Sequence, residues 1–304
     1  MTVTVFIDGA AGTTGLEIAD RLSTRGDLSL VVLDGERRKD PAARREALND
    51  ADVAILCLPD DAAREAVALL ASDTRIIDAS SAHRVADGWT YGFPELGFPV
   101  ADARLVSNPG CYPTGFLALV APLVRAGVIP ADWSLTVNAV SGYSGGGKAL
   151  IERVEADPAL AFRGYGFGLD HKHVPEMQRH AGLAHPPVFA PSVVRAFRGM
   201  VVEVPLSLAA LPARPSRAVI LETLHGFFDG QPLVRVHDDM PGELLLATAG
   251  APTDRLDLYV ATDARETQAR LIATLDNLGK GAGGAAVQNL NLMAGLDPLA
   301  GLIL

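Results

Sequence analysis

The sequence is short of cysteine, of basic surface and of long apolar runs, and each shortage removes a class of protein. Two cysteines in 304 residues, Cys57 and Cys111, are too few for a disulfide framework or a zinc site. Two reduced thiols in a cytoplasmic protein are the simplest reading. No apolar run reaches the roughly 18 residues that a membrane span needs. The chain enters a strand at once, Val3-Thr4-Val5-Phe6-Ile7, without the basic start and apolar stretch of an export signal. Positive charge is outweighed, with 26 lysines and arginines against 36 aspartates and glutamates, a net charge of −10. So acidic a chain repels nucleic-acid phosphates and anionic lipid, and neither is expected as a partner. The densest basic cluster is only Arg37-Arg38-Lys39, with Arg44-Arg45 close behind.

What remains is a globular composition, 49% hydrophobic and 20% charged, with material for a sizeable core. The first third alternates two kinds of segment. Val3–Ile7, Leu28–Leu33, Val53–Leu58 and Arg75–Asp78 are short apolar runs. Between them lie helix-like stretches carrying Leu16, Ile18 and Leu22, then Pro41–Asn49, then Asp60–Leu70. Buried strands separated by helices predict a doubly wound, Rossmann-type α/β domain around a parallel sheet. Further on, Trp133–Val140, Val201–Leu208 and Leu256–Val260 are strand-like, and the last alternates apolar with other residues. That pattern predicts a second, α+β domain on a mostly antiparallel sheet with one covered face. The expected division is 1–112 plus 284–304 for the dinucleotide-binding domain and 113–283 for the catalytic and oligomerisation domain. Gly279–Ala286, rich in Gly and Ala, is read as a hinge or a close-packed turn. The helical face of Val287, Leu290 and Met293 beyond it is expected to return to the first domain.

The first strand runs into Gly9-Ala10-Ala11-Gly12-Thr13-Thr14-Gly15 and then a helix. Glycines let a backbone approach a pyrophosphate, and the helix start offers unpaired N–H groups to its charge. Gly9, Ala11, Gly12, Thr13, Thr14 and Gly15 are therefore candidate cofactor contacts, although the spacing G-x-x-G-x-x-G departs from the commoner fingerprint. About 20 residues on, where an adenosine ribose is read, stands Asp34-Gly35-Glu36-Arg37-Arg38. Asp34 alone favours a free ribose hydroxyl and NAD; Arg37 and Arg38 favour a 2′-phosphate and NADP. The residues themselves leave that choice open.

The most informative stretch is Ser107-Asn108-Pro109-Gly110-Cys111-Tyr112-Pro113-Thr114. Asn-Pro-Gly makes a tight turn and Pro113 suits a first helical turn, so Cys111 falls at a helix start, where the dipole favours thiolate. Cys57, in Ile55-Leu56-Cys57-Leu58, reads as buried strand and is assigned no chemistry. A thiolate nucleophile needs a proton partner, and Asp170-His171-Lys172-His173-Val174-Pro175-Glu176 offers two imidazoles on one side of an extended segment, with Glu176 able to orient one. No third ligand is spaced for a metal, and none is expected.

Together these motifs resemble N-acetyl-γ-glutamyl-phosphate reductase, the NADP-dependent family of arginine biosynthesis, in its shorter form. The resemblance spans essentially the whole chain. It is carried by the Gly9–Gly15 loop, Ser80-Ser81-Ala82-His83-Arg84, Tyr91-Gly92-Phe93-Pro94-Glu95-Leu96 and Asn108–Thr114. Ser141-Gly142 with Gly146-Gly147-Lys148, His171–Glu176 and Gln288-Asn289-Leu290-Asn291 complete it. Longer members look like Ser-Gly-x-Gly-Arg where this chain ends its loop in Lys148. The resemblance implies that Cys111 takes up an acyl group as a thioester, which NADPH reduces to an aldehyde. It implies a histidine as general acid/base, His173 preferred, with Glu176 orienting it and His171 nearer the substrate. Arg84 and Lys148 are candidates for the phosphate, Arg198 for the substrate carboxylate, Ser141 for the substrate, and Ser81 and Asn289 for the nicotinamide pocket. A homo-oligomer formed through the middle sheet is implied as well. The competing readings are a relative acting on an aspartyl or carrier-linked aminoadipyl phosphate, and a non-catalytic NADP(H)-binding redox sensor.

Overall fold

The computed structural model describes residues 2–304 and divides into two units. One contains the chain up to Gly110 together with Ala282–Ile303; the other is Cys111–Gly281.

In the first unit, β1 (Val3–Asp8) leads through the glycine loop into α1 (Thr13–Ser23). Then come β2 (Leu28–Val31), α2 (Pro41–Asp50), β3 (Val53–Leu56), α3 (Asp60–Ala68), β4 (Arg75–Asp78), β5 (Thr90–Tyr91) and β6 (Leu105–Ser107). The strands pair in parallel in the order β2-β1-β3-β4-β6-β5. Their apolar runs are continuous because both faces are covered. Val5, Ile7, Val53, Ile55 and Ile77 pack with Ile18 and Leu22 of α1 on one face, and Phe6, Ala54, Leu56 and Ile76 pack with Leu48 and Ala66 on the other. Local chemistry sets the helix starts. Asp40 accepts a hydrogen bond from the Ala42 N–H (3.0 Å) just before Pro41 opens α2. The closing helix Gly284–Met293 joins this unit, with Ala286, Val287, Leu290 and Met293 in the first of those cores. Strand β2 stops at Val31 and not at Leu33, since the chain then turns out through Gly35 (φ 48°).

The second unit opens with α4 (Cys111–Arg125). It continues with β7 (Thr136–Gly142), α5 (Gly147–Ala156), β8 (Phe162–Gly164), α6 (Val174–Ala181), β9 (Val188–Val194) and β10 (Met200–Leu206). After α7 (Arg217–Phe228) follow β11 (Val234–Val236), β12 (Leu256–Thr262) and β13 (Ala269–Leu275). Cys111 and Tyr112, expected at the end of the first domain, thus head a helix of the second. The seven strands lie in the order β11-β12-β13-β10-β7-β9-β8. The sheet is mixed: β7–β9 and β11–β12 are parallel, the other pairs antiparallel. Burial alternates along β10, Val202 and Val204 inward and Glu203 and Pro205 outward, as a sheet with one covered face requires. Trp133 falls outside β7 because its N–H closes a turn onto the Pro130 carbonyl. Helix α4 is buried on all sides from Tyr112 to Leu123. Each buried Leu or Phe there contributes roughly 1.5–3 kcal/mol, so the residue at its head has a firm mount.

The Gly/Ala-rich segment is close-packed. Gly279–Gly283 form a π-turn in which a Cβ on Gly279 would collide with the Thr253 carbonyl, and one on Gly281 would lie 2.9 Å from Cys111 Cβ. Among the described residues no helix is long and apolar enough to cross a membrane.

Candidate active site

In the second unit the candidate site begins with the turn before α4. Pro109 and Gly110 deliver Cys111 as its first residue, and Tyr112 follows with 3% of its surface exposed. The Tyr112 hydroxyl donates to the Ser192 carbonyl (2.9 Å), and the Tyr165 hydroxyl donates to Tyr112 (3.4 Å). Around the Tyr112 ring stand His173 at 5.9 Å, His171 at 6.4 Å and Phe189 at 5.1 Å between centroids. The two imidazoles are 4.7 Å apart.

They meet in a way the alternation rule did not foresee. His171 and His173 are not on an extended segment: Pro175 in the first turn of α6 commits the chain to helix, and His173 caps it in helical geometry (φ −84°, ψ −14°). The His173 backbone N–H then donates to Nδ1 of His171 (3.2 Å), which holds the His171 ring against the turn. Glu176 is buried in the same first turn.

The electrostatics link this aromatic pocket to the cysteine. Burial is the main cause that pushes the Tyr112 hydroxyl far above its ordinary range, and the charges of Tyr165 and Cys111 add to it, while Ser141 opposes by hydrogen bonding. Tyr165 is raised mainly by burial, with Tyr112 opposing and Cys111 adding. Both phenols therefore stay neutral donors, within electrostatic reach of the sulfur. Ser141 is buried, and its hydroxyl donates to the Gly142 carbonyl (3.0 Å). The cations are placed less uniformly. Arg198 donates to the buried Asp276 carboxylate at 2.9 Å. Lys148 points to solvent, its side chain 80% exposed and 3.8 Å from Glu152. Sequence reasoning passed over Tyr165, Phe189, Asp276 and Asn277. Asn277 bridges the Gly199 N–H (2.9 Å) and the Ser144 hydroxyl (2.8 Å).

The first unit carries a cradle at the end of β1. Gly9 has φ 87°, and a Cβ there would strike the Cys57 carbonyl; one on Gly15 would lie 2.5 Å from the Gly9 carbonyl. Only glycine fits either place. Gly12 caps α1 without a side-chain hydrogen bond, so the first-turn N–H groups are offered outward beside Ala11, Thr13 and Thr14. Asp34, Arg37 and Arg38 are exposed, the arginines in a short 3₁₀ turn. Beyond the carboxyl end of β4, which runs parallel to β1, Ser81 donates through Oγ to the Asp60 carboxylate (2.7 Å). Arg84 is buried, with Nε on the Asn108 carbonyl (2.9 Å) and Nη2 on that of Ala79 (3.2 Å); it clamps two loops, a use of its donors that competes with holding phosphate. Asn289 is fully buried. Its Nδ2 donates to the Gly92 carbonyl and to Asn108 Oδ1, each at 3.0 Å, while its Oδ1 has no hydrogen-bond partner among the described residues. A glycine cradle and an orphaned buried acceptor are what a dinucleotide with a carboxamide end would satisfy. Cys57 differs from Cys111: burial first, then the Asp78 and Asp8 charges, push its thiol up to about 12. Among the described residues no cluster of His, Cys, Asp and Glu is placed to hold a metal ion.

Both units match families of known proteins. Residues 4–100 match the NAD binding domain of semialdehyde dehydrogenase, and residues 111–277 its dimerisation domain. The N-acetyl-gamma-glutamyl-phosphate reductase of Trichormus variabilis is 48% identical over 98% of both chains. A Pseudomonas putida protein, N-acetyl-gamma-glutamyl-phosphate reductase 2, is 50% identical over 97% of both. Among solved structures, a probable aspartate-semialdehyde dehydrogenase from Pseudomonas aeruginosa superposes with a TM-score of 0.72 at 17% identity, covering 97% of this chain and 99% of that one. The Candida albicans aspartate semialdehyde dehydrogenase with NADP gives 0.66 at 12% identity, with 97% and 99% coverage. At such low identity these two establish a shared fold. The sequence relatives establish more: the chain belongs to the N-acetyl-γ-glutamyl-phosphate reductases, a branch of the semialdehyde dehydrogenases.

Proposed function

We propose that the protein reduces N-acetyl-γ-glutamyl phosphate to N-acetylglutamate semialdehyde with NADPH, releasing phosphate, through a thioester on Cys111. The observation that carries this reading is the second unit's cluster: a cysteine at the head of a buried helix, with two contacting imidazoles around the next side chain.

His173 takes the thiol proton, and the sulfur attacks the acyl carbon. A C–S bond forms, the C–O bond to phosphate breaks, and phosphate leaves with its electron pair. NADPH, when bound, would supply a hydride to the thioester carbonyl, and His173 returns the proton it took from the thiol to the resulting oxygen, giving a thiohemiacetal on Cys111. His173 then removes the hydroxyl proton, the C–S bond breaks, and the aldehyde leaves as thiolate returns to Cys111. Tyr112 and Tyr165, held neutral, keep negative charge away from the sulfur, and Glu176 and His171 orient the base. Backbone N–H groups at the start of α4 stabilise the oxyanion. Arg198 receives the substrate carboxylate beside Ser141. The Gly9–Gly15 loop holds the cofactor's diphosphate, Asp34, Arg37 and Arg38 its adenosine end, and Ser81 and Asn289 its nicotinamide carboxamide. The outward face of the mixed sheet, where Arg270 pairs with Glu203 (2.6 Å), is the surface through which copies associate. A reducing, cytoplasmic setting belongs to the same reading, since both cysteines are thiols.

The test is mass spectrometry of protein mixed with the acyl phosphate and no cofactor. An acyl adduct on Cys111 is expected; an unmodified peptide spanning residue 111 refutes the thioester. Aldehyde oxidation with phosphate and NADP⁺ checks the reverse direction, and aspartyl and aminoadipyl analogues run beside it decide the substrate.

A further inference from the structure

Asp8 is the last residue of β1 and stands immediately before Gly9, the first residue of the glycine loop. It is 7% exposed. A buried negative charge there faces a difficulty, because the loop that follows is the proposed seat of a diphosphate. Like charges at such range, with little water between them, repel strongly. The chain answers with Arg44, which reaches across from α2. Its Nε lies 3.1 Å and its Nη2 2.8 Å from the same oxygen, Asp8 Oδ2. The guanidinium is itself mostly covered, its side chain 19% exposed.

As a stabilising device this pair is poorly placed. Removing both charges from water costs about what their attraction returns, and an apolar pair of similar volume would fill the space as well. Its position gives it another use. We infer that Arg44 governs cofactor affinity through Asp8, cancelling the carboxylate charge beneath the glycine loop so that the dinucleotide's phosphates meet a neutral floor. Arg44 is then a positioning residue that acts through another side chain, unlike Arg37 and Arg38, which stand exposed at the proposed 2′-phosphate. This inference rests on dinucleotide binding at the Gly9–Gly15 loop; it does not depend on thioester chemistry at Cys111.

The experiment is equilibrium binding of NADPH to the full chain, read by cofactor fluorescence without turnover. Arg44→Ala is expected to bind about tenfold more weakly at low salt, with the loss shrinking at high salt. The double variant Asp8→Asn/Arg44→Ala is expected to return within about twofold of the original affinity, because both charges are then gone. Unchanged affinity in Arg44→Ala overturns the inference. So does a double variant as weak as the single, which makes Arg44 a direct contact or a structural strut. Should the single variant not fold, the double decides alone: near-original affinity supports the inference, and a tenfold loss defeats it. An original protein that binds no NADPH defeats the cofactor reading itself, whereas an adduct-free Cys111 leaves this result standing.

Discussion

The two cysteines of this chain are chemically identical and stand in opposite surroundings. Cys57 follows β3 in the first unit, and burial together with the Asp78 and Asp8 carboxylates drives its thiol up to about 12. It stays protonated at any ordinary pH. Cys111 starts α4 in the second unit, within electrostatic reach of two neutral phenols, one of which (Tyr112) stands beside both imidazoles, and a Cβ on Gly281 would lie 2.9 Å from its own Cβ. The contrast teaches that reactivity belongs to the surroundings of the sulfur: carboxylates and burial hold Cys57 inert, whereas Cys111, at a helix start, has the setting the proposed chemistry requires.

Substitution breaks the comparison most sharply. Cys111→Ser is expected to lower turnover by roughly 10³-fold or more and to leave NADPH binding intact, whereas Cys57→Ser should leave the rate essentially unchanged. Equal losses from both would end the distinction. Alkylation followed by peptide mapping sharpens it. Against an ordinary thiol near 9.0, a thiol at about 12 carries roughly a thousandfold less thiolate at neutral pH, so Cys57 should react only as pH climbs toward that value. The sign for stability follows. The folded state keeps the Cys57 proton that the unfolded chain gives up near 9, so its contribution is complete below pH 9 and fades between about 9 and about 12. A denaturation midpoint that rises through that window contradicts the assignment.

His173→Asn should cost about a hundredfold or more in rate at neutral pH, read from steady-state kinetics, with His171→Asn costing less. The reverse order would exchange their roles. The smallest effect is expected from Tyr112→Phe, which keeps the ring packing but leaves the Ser192 carbonyl without its donor. A loss of about 1 kcal/mol in unfolding free energy, measured in denaturant, is expected.

How much of this could be read in the sequence depended on how local each feature was. The glycine loop and the Pro109-Gly110-Cys111 turn are decided within a few residues, and so are the strands around Ile7 and Ile55. The His171–Glu176 segment contained its own correction: Pro175 suits a first helical turn, and an alternating reading overlooks it. Tyr165 gave no signal, because its value lies in a hydrogen bond to Tyr112, 53 residues away. Asp276 and Asn277 are similar, since their partners Arg198 and Ser144 come close only when β13 is placed in the sheet. Lys148 illustrates a different limit. A cation beside a family-like motif turned out to stand in solvent, a matter of side-chain direction that no pattern encodes.

The π-turn at Gly279–Gly283 has one further consequence. With no methyl group at residue 281, the sulfur-bearing carbon of residue 111 rests directly against the main chain. Alanine in that position would tilt the nucleophile by some tenths of an ångström, and lines of attack tolerate such an error badly. In the proposed reaction its aim is set, in part, by an atom the chain leaves out.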